Sequence, residues 1–418
     1  MIGGKMTIIP DSTTGGIDID DDGQVIILED VNIINTSGDA IHFNELTAFT
    51  IDILGYVNGN RAGLTGYYPF ADGGTFYRVN VADSGRVFGL QYALDFITSA
   101  ARSSFHVLNE GSIVSSNIAV YLRNFLEVEI NNSGIISGIT QAILFSRSTG
   151  IVNNTGDIFG DVVFSNGDDA FLGETGFVSG VVFGNDGDDV IKTGIGDDLI
   201  SGGTGGDEIW GGAGVDTVIY IESNRGVRIH LDQHHAARGH ANGDELYEIE
   251  NVLGSNFNDY LRGDDGDNRL DGGVGDDLLK GGSGEDRLLG GADDDVLQGQ
   301  LGNDVLNGGL GRDRLEGGGG EDIFEFTSLS DSGTTGQTRD VLFDFQPGYD
   351  HIDLSQIGAT SYGGSKFSGT AGEVISFFTA SGGRTVIELD ADGDSQADFA
   401  IVIINGAFQL DSGDFLLG

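Results

Sequence analysis

Between Gly254 and Glu325 a large apolar residue falls on every ninth position: Leu261, Leu270, Leu279, Leu288, Leu297, Leu306, Leu315 and then Phe324. The residues between them follow one order, G-G-x-G-x-D-x-U-x, where U is the apolar residue. Eight copies fill 72 residues without insertion or deletion. GGVGDDLLK (272–280), GGSGEDRLL (281–289) and GGLGRDRLE (308–316) are the clearest. The sixth position holds Asp259, Asp277, Asp286, Asp295, Asp304, Asp313 and Asp322, with Asn268 as the single amide. This pattern predicts a short strand on x-U-x, its apolar side chain inward, and a tight turn on G-G-x-G-x-D whose glycines permit positive φ. Two nonapeptides make one coil. Asp277, Asp295 and Asp313 then share one edge, and Asp286, Asp304 and Asp322 the other. A second block, 184–219, repeats the pattern with Asp189, Asp198, Asp207 and Asp216 at the sixth position.

Upstream the repeat is looser. NSGIISGITQAILF (132–145), NTGDIFGDVVF (154–164) and ETGFVSGVVF (174–183) share a frame with NEGSIVSSNIAVYL (109–122) and DSGRVFGLQYALDF (83–96). Gly85, Gly111, Gly134, Gly156 and Gly176 anchor it at spacings of 26, 23, 22 and 20 residues, and Ala93, Ala119 and Ala142 each follow their glycine by eight. Segment 154–169 aligns with 174–189 without a gap and brings Asp169 into the acid series. One continuous parallel β-solenoid is expected, its coil shortening from about 26 residues to 18. Asn131/Asn132 and Asn153/Asn154 are placed to form a side-chain ladder. Alternation at Phe88, Leu90, Tyr92, Leu94 and Phe96 reads as one strand with a buried face. Coils such as VNIINTSGDAIHF (31–43) are fainter, and an independent globular domain at 1–80 fits the residues as well.

Charge changes the picture. The net charge of −46 excludes nucleic acid as a partner, disfavours anionic membranes and points to cations. No cysteine is present, which rules out disulfides and thiolate metal sites. There is no run of 18 apolar residues and no apolar region near Met1, so neither a membrane span nor a cleaved N-terminal signal is expected. Carboxylates stacked about 5 Å apart repel by roughly 3 kcal/mol at an effective dielectric near 20. A buried leucine contributes only about 1.5–3 kcal/mol. Without a cation the roll should therefore be unfolded. Ca²⁺, a hard ion taking six to eight oxygens, reverses the sign with aspartate and turn-carbonyl ligands, making folding and binding one event.

The two nonapeptide blocks resemble the RTX family of type I-secreted bacterial proteins, and 220–253 resembles the usual interruption between such blocks. From Asp322 onward, EDIFEFTSLSDS (321–332), DVLFDFQPGYDHIDLSQI (340–357) and DADGDSQADFAIVI (390–403) resemble the C-terminal domain of serralysin-type proteases, ending in an export-signal-like DFLLG. The fold class implied is all-β: an elongated parallel β-solenoid continuing into RTX β-rolls, with a C-terminal β cap. The boundaries read from the residues are 1–183 for the solenoid, 184–219 for the first roll and 220–253 for a connecting hairpin segment. The second roll follows at 254–325 and the cap at 326–418. Asp390, Asp392, Asp394 and Asp398 have calcium-loop spacing, and Asp350 and Asp353 complete the candidate ligands. The resemblance implies a chain that leaves through a type I exporter of a Gram-negative cell and folds outside on calcium.

No catalytic residue or organic cofactor is expected. There is no H-E-x-x-H, and GGSGE (281–285) fails as G-x-S-x-G and is already a repeat turn. The histidines His230, His234, His235 and His240 read as a solvated hairpin, or as a transition-metal site. Tyr67, Tyr68, Phe70, Phe76 and Tyr77 read as an insertion packed on the solenoid, or as a sugar-stacking surface. The absence of a cap before about residue 17 would leave an open strand edge. The leading expectation is a secreted calcium-dependent structural protein, a homo-oligomer or head-to-tail filament in a surface layer or biofilm matrix, with adhesive contact to cell-surface polysaccharide. The alternative is an enzyme or binding protein for extracellular polysaccharide. That reading requires clustered Tyr, Arg and acid residues between 40 and 125.

Overall fold

The computed structural model describes residues 5–9, 13–19, 23–28, 31–44, 49–68, 76–98, 103–173, 175–379 and 383–418. It is almost wholly parallel β-structure, in two compact units: 1–217 with 244–249, and 218–243 with 250–418.

In the first unit each coil crosses three parallel ladders. One ladder runs through Phe76–Val81, Ser104–Asn109, Glu127–Asn132 and Thr149–Asn154. The second holds Arg86–Gly89, Ser112–Ser115 and Ile135–Gly138, and the third Tyr92–Thr98, Ile118–Arg123 and Gln141–Ser146. The same ladders reach back to Lys5–Ile9, Thr13–Thr14 and Ile17–Ile19, so the described residues before 80 are solenoid coils and not an independent globular domain. The coil shortens by losing a side. Phe177–Val178 ends the second ladder, after which the nonapeptides use two strands per turn. Side-chain steps follow suit: 23 residues from Asn109 to Asn132, 22 from Asn132 to Asn154, 20 from Asp169 to Asp189, and 18 from Asp189 to Asp207.

Coil width decides what fills it. The three-sided coils enclose an aromatic file in which Phe43–Phe49, Phe96–Phe105 and Phe105–Phe125 centroids lie 4.3, 4.8 and 5.1 Å apart. The two-sided coils have room for single aliphatic residues, Ile191, Ile200 and Ile209. Ala93, Ala119 and Ala142 are fully buried. Alternation from Phe88 to Phe96 does not make one strand: Arg86–Gly89 and Tyr92–Thr98 are separated by a corner, and Leu90 lies on it, 45% exposed. Period-two patterning cannot distinguish a strand from two strands joined by an even-numbered corner. Of the aromatic cluster, Tyr67 and Tyr68 end the strand Ala62–Tyr68, Tyr77 is buried, and Phe70 lies outside the described residues.

The second unit opens with an antiparallel hairpin, Arg228–His230 against His235–Ala237. A two-sided roll follows, whose Leu261-to-Phe324 column is fully buried. Its strands are longer than x-U-x. Val296–Leu301 includes the next repeat's first three residues, because those positions continue the ladder, as at Gln300↔Gly318. The turn proper is only G-x-D. Three antiparallel strands, Glu373–Phe378, Thr385–Asp390 and Phe399–Ile403, join the roll through Asp340–Leu342, and Phe415–Leu416 pairs with His351–Asp353.

The asparagine ladder holds the wide coils by amide-to-amide bonds, Asn109 Nδ2 to Asn132 Oδ1 at 2.7 Å and Asn132 Nδ2 to Asn154 Oδ1 at 2.8 Å. Removing the middle rung strands a donor and an acceptor, each costing roughly 1–3 kcal/mol when buried. Asn132→Ala should therefore lower the stability of the calcium-loaded chain by about 2 kcal/mol or more in urea unfolding. An unchanged midpoint would show that the ladder is not structural.

Candidate metal centre

The sixth-position aspartate of each nonapeptide folds back over the first glycine of its own repeat and bonds to the neighbouring coil. The first glycine of the repeat has no room for a side chain: a Cβ on Gly272, Gly281 or Gly299 would lie 2.2 Å from Oδ2 of Asp277, Asp286 or Asp304. The carbonyl oxygen of the glycine one coil further on converges on the same space, 2.4 Å from a Cβ on Gly290. Left-handed backbone belongs to the stack as well as to glycine. Asn185, Asp293 and Gln300 replace glycines of the repeat and still take φ of 76°, 84° and 81°.

The aspartates form columns. In the second unit the backbone N–H of Asp259 donates to Oδ1 of Asp277 at 2.7 Å, Asp277 to Asp295 at 2.8 Å, Asp295 to Asp313 at 2.9 Å, and Asp313 to Asp340 at 2.9 Å. On the opposite edge Asn268 donates to Asp286, Asp286 to Asp304 and Asp304 to Asp322, all within 3.0 Å, and Asp322 to Asp350 at 3.2 Å. In the first unit Asp169 donates to Asp189, Asp189 to Asp207 and Asp207 to Asp244, while Asp198 donates to Asp216. All these aspartates are at most 4% exposed.

Along the interior of the columns one oxygen accepts the neighbouring N–H and the other is unsatisfied, whereas both oxygens of Asp259 and of Asp350, at column ends, accept backbone N–H groups. Oδ2 of Asp169, Asp189, Asp207, Asp277, Asp286, Asp295, Asp304, Asp313, Asp322 and Asp340 is buried without a hydrogen-bond donor. Burial first, then the neighbouring carboxylates, pushes these groups up: to about 6 for Asp304, about 7 for Asp277, Asp286, Asp313 and Asp322, and about 9 for Asp295 and Asp340. Burial also raises Asp259 and Asp350. An unsatisfied oxygen-only donor set, converging on space that only glycine leaves, fits a hard divalent cation.

Several column members escaped the spacing argument. Asp244, Asp340 and Asp350 follow their predecessors by 37, 27 and 28 residues, outside the 18-residue period. The local signal that survives is D-x-U, present at Asp244-Glu245-Leu246, Asp340-Val341-Leu342 and Asp350-His351-Ile352. A second acid series precedes the first. Oδ1 of Asp188, Asp197, Asp276 and Asp294 accepts the N–H of the residue 18 positions on, and the D-D doublets announce it.

Other candidates fall elsewhere. Asp353 lies outside the columns, its Oδ1 accepting the N–H of Ser355. Asp390, Asp392 and Asp398 bring carboxylate oxygens within 4.8 Å of one another, whereas Asp394 turns to Gln396. His230 is buried on Tyr260, with Nε2 accepting from Arg228 Nε at 2.9 Å, so it is not a solvated hairpin residue. Among the described residues no three of the four histidines gather as metal ligands.

These features define a calcium-binding β-roll of the RTX type. The Peptidase M10 serralysin C terminal family matches residues 130–417, and the chain belongs to that family. No curated protein matches it. Among solved structures it is similar to two subunits of the Azotobacter vinelandii mannuronan C5-epimerase. These are AlgE6R3 (28% identity, 39% of this chain and 80% of that one, TM-score 0.28) and AlgE6R2 (30%, 38% and 91%, TM-score 0.25). The extracellular lipase LipA from Serratia marcescens matches at 15% identity over 70% of this chain and 45% of that one, TM-score 0.23.

The raised carboxyls give the metal-free fold a definite pH dependence. A group whose pKa is higher folded than unfolded contributes stability that is fully present below the unfolded value near 4 and is lost as pH rises through the folded value. For most column members that folded value is about 7. In chelator, circular dichroism should show β-structure increasing as pH is lowered from 8 to 5 and decreasing again on return. A signal indifferent to pH would contradict the columns. Separately, Asp286→Ala, or Leu288→Asp in the buried file, should raise the calcium concentration at the folding midpoint several-fold. No shift in either variant would refute the roll as the calcium-dependent element.

Proposed function

We propose that the aspartate columns, with turn carbonyls, hold Ca²⁺, and that calcium folds the chain outside the cell into a structural subunit. The observation that carries this reading is the row of buried Oδ2 atoms without donors along the interior of the columns, which a divalent cation can satisfy without protonation. On this reading 184–219 and 254–325 are the calcium-responsive blocks, 220–253 joins them, 326–418 caps the roll, and Asp390, Asp392 and Asp398 hold a further ion. The chain leaves unfolded through a type I exporter and meets calcium at the cell surface. Self-association is supported by large apolar side chains that the first unit's coils leave outward, including Ile139 at 81% and Leu126 at 57% exposure.

A second reading, polysaccharide binding, is favoured by one cluster in the first unit. On the outer face of the third ladder, Tyr92 and Tyr121 stack at 5.6 Å and the Arg123 guanidinium lies 4.4 Å from the Tyr121 ring centre. Arg123 also pairs with the buried Asp95, and Arg61 with Asp39. Tyrosine faces flanked by arginine–carboxylate forks suit sugar rings and their hydroxyls.

Millimolar Ca²⁺ should produce ordered assemblies in electron micrographs that chelator dissolves. A calcium-loaded chain that stays monomeric at high concentration would reject the structural reading. Turnover of alginate or a neutral glycan, abolished by Asp95→Asn, would replace it with the second.

A further inference from the structure

The second unit contains a cavity of about 320 Å³ between the roll and the antiparallel strands that follow it, bordering the aspartate column at Asp295. Its apolar lining comes from Val296, Val341, Phe343, Val386, Val402 and Ile404. Four arginines, Arg312, Arg314, Arg339 and Arg384, also line it. In a chain with 20 Lys and Arg against 66 Asp and Glu, four guanidiniums at one cavity are a marked local reversal of charge.

Two polar groups in its wall are unsatisfied. Nε of Arg339 and Oγ1 of Thr379 are buried with no hydrogen-bond partner. Arg339 is anchored from behind, donating to Thr334 O at 2.7 Å and standing 3.5 Å from Glu388, so its side chain is held in place. The guanidinium of Arg314 lies 4.5 Å from the Phe343 ring centre. Of the two acids in the lining, Asp294 accepts the Arg312 N–H with Oδ1, and Asp295 accepts the Asp277 N–H with Oδ1 and belongs to the aspartate column through its unsatisfied Oδ2. Two buried donors, an arginine rim and an apolar floor are complementary to one kind of molecule.

We infer that this cavity binds a single-chain organic anion, its carboxylate, sulfonate or phosphate head on Arg339 and Thr379 and its apolar body on Phe343, Val386 and Val402. The volume admits one short chain or ring and not a two-tailed lipid. The anionic head is selected because Arg339 Nε can only donate and the Thr379 hydroxyl can donate beside it, whereas an ammonium head would leave Nε unsatisfied among four arginines.

The test is calorimetric titration of the full calcium-loaded chain with octane-1-sulfonate, whose calcium salt stays in solution. Saturable one-to-one binding is expected, at least ten-fold tighter than methanesulfonate, which lacks the tail, and octyltrimethylammonium, which reverses the charge. Arg339→Met should weaken it ten-fold or more. The exposed rim pair Arg312→Gln with Arg384→Gln should weaken it several-fold and keeps the test independent of any folding defect in the first variant. The inference is overturned if octane-1-sulfonate does not bind at millimolar concentration, if the cationic amphiphile binds equally well, or if binding survives the rim variant unchanged. It is overturned too if binding survives Arg339→Met while calcium-dependent circular dichroism stays that of the parent.

Discussion

Everything in the rolls depends on stacking like charges in register. Along each column the sixth-position aspartates are buried beside one another, and at interior positions such as Asp277, Asp295 and Asp313 one oxygen sits on a backbone N–H of the neighbouring coil and the other faces no donor. The same residue both ties one coil to the next and loads the edge with uncompensated charge. Burial and neighbouring carboxylates push these groups far above the ordinary carboxylate range, so the metal-free arrangement opposes itself at neutral pH. The leucine file alone is of comparable size to that repulsion and does not decide the matter.

The asparagine ladder is the instructive contrast. An amide donates with one atom and accepts with the other, so Asn132 bridges Asn109 and Asn154 along the stack, and the oxygen left without a donor is the one at its end, Asn109 Oδ1. An ionised carboxylate only accepts, so the aspartate column ends each step with an oxygen to spare. Two versions of one stacking geometry thus differ in whether they need an ion. The wide coils carry their own aromatic core and amide rungs. The narrow coils have one aliphatic side chain per strand and depend on what fills the oxygen column. The loss of the third strand after Phe177–Val178 and the start of the aspartate columns near Asp169 come within one coil of each other. As the coil narrows and its apolar filling shrinks, oxygen stacking takes over the edges.

The nine-residue period carried the two-sided roll, its inward leucines and the sharing of edges, because each strand and turn is local and the period is strict. The narrowing of the coils was legible in the looser upstream repeat, through the falling spacing from Gly85 to Gly176. The period did not carry the ends of the columns. Asp244, Asp340 and Asp350 reach their stacks across irregular segments whose length no period encodes. Nor did it separate the corner at Leu90 from a strand interior, since alternation is blind to a two-residue bend.

The sequence by itself determined that oxygens would repeat every coil and that apolar residues would face inward, since strand and turn geometry follow from neighbouring residues. Only the tertiary structure decided which carboxylate oxygens remain without a donor, because that depends on the coil above. Only packing between the roll and the last antiparallel strands brought Arg312 and Arg314, from one repeat, together with Arg339 and Arg384 around one cavity.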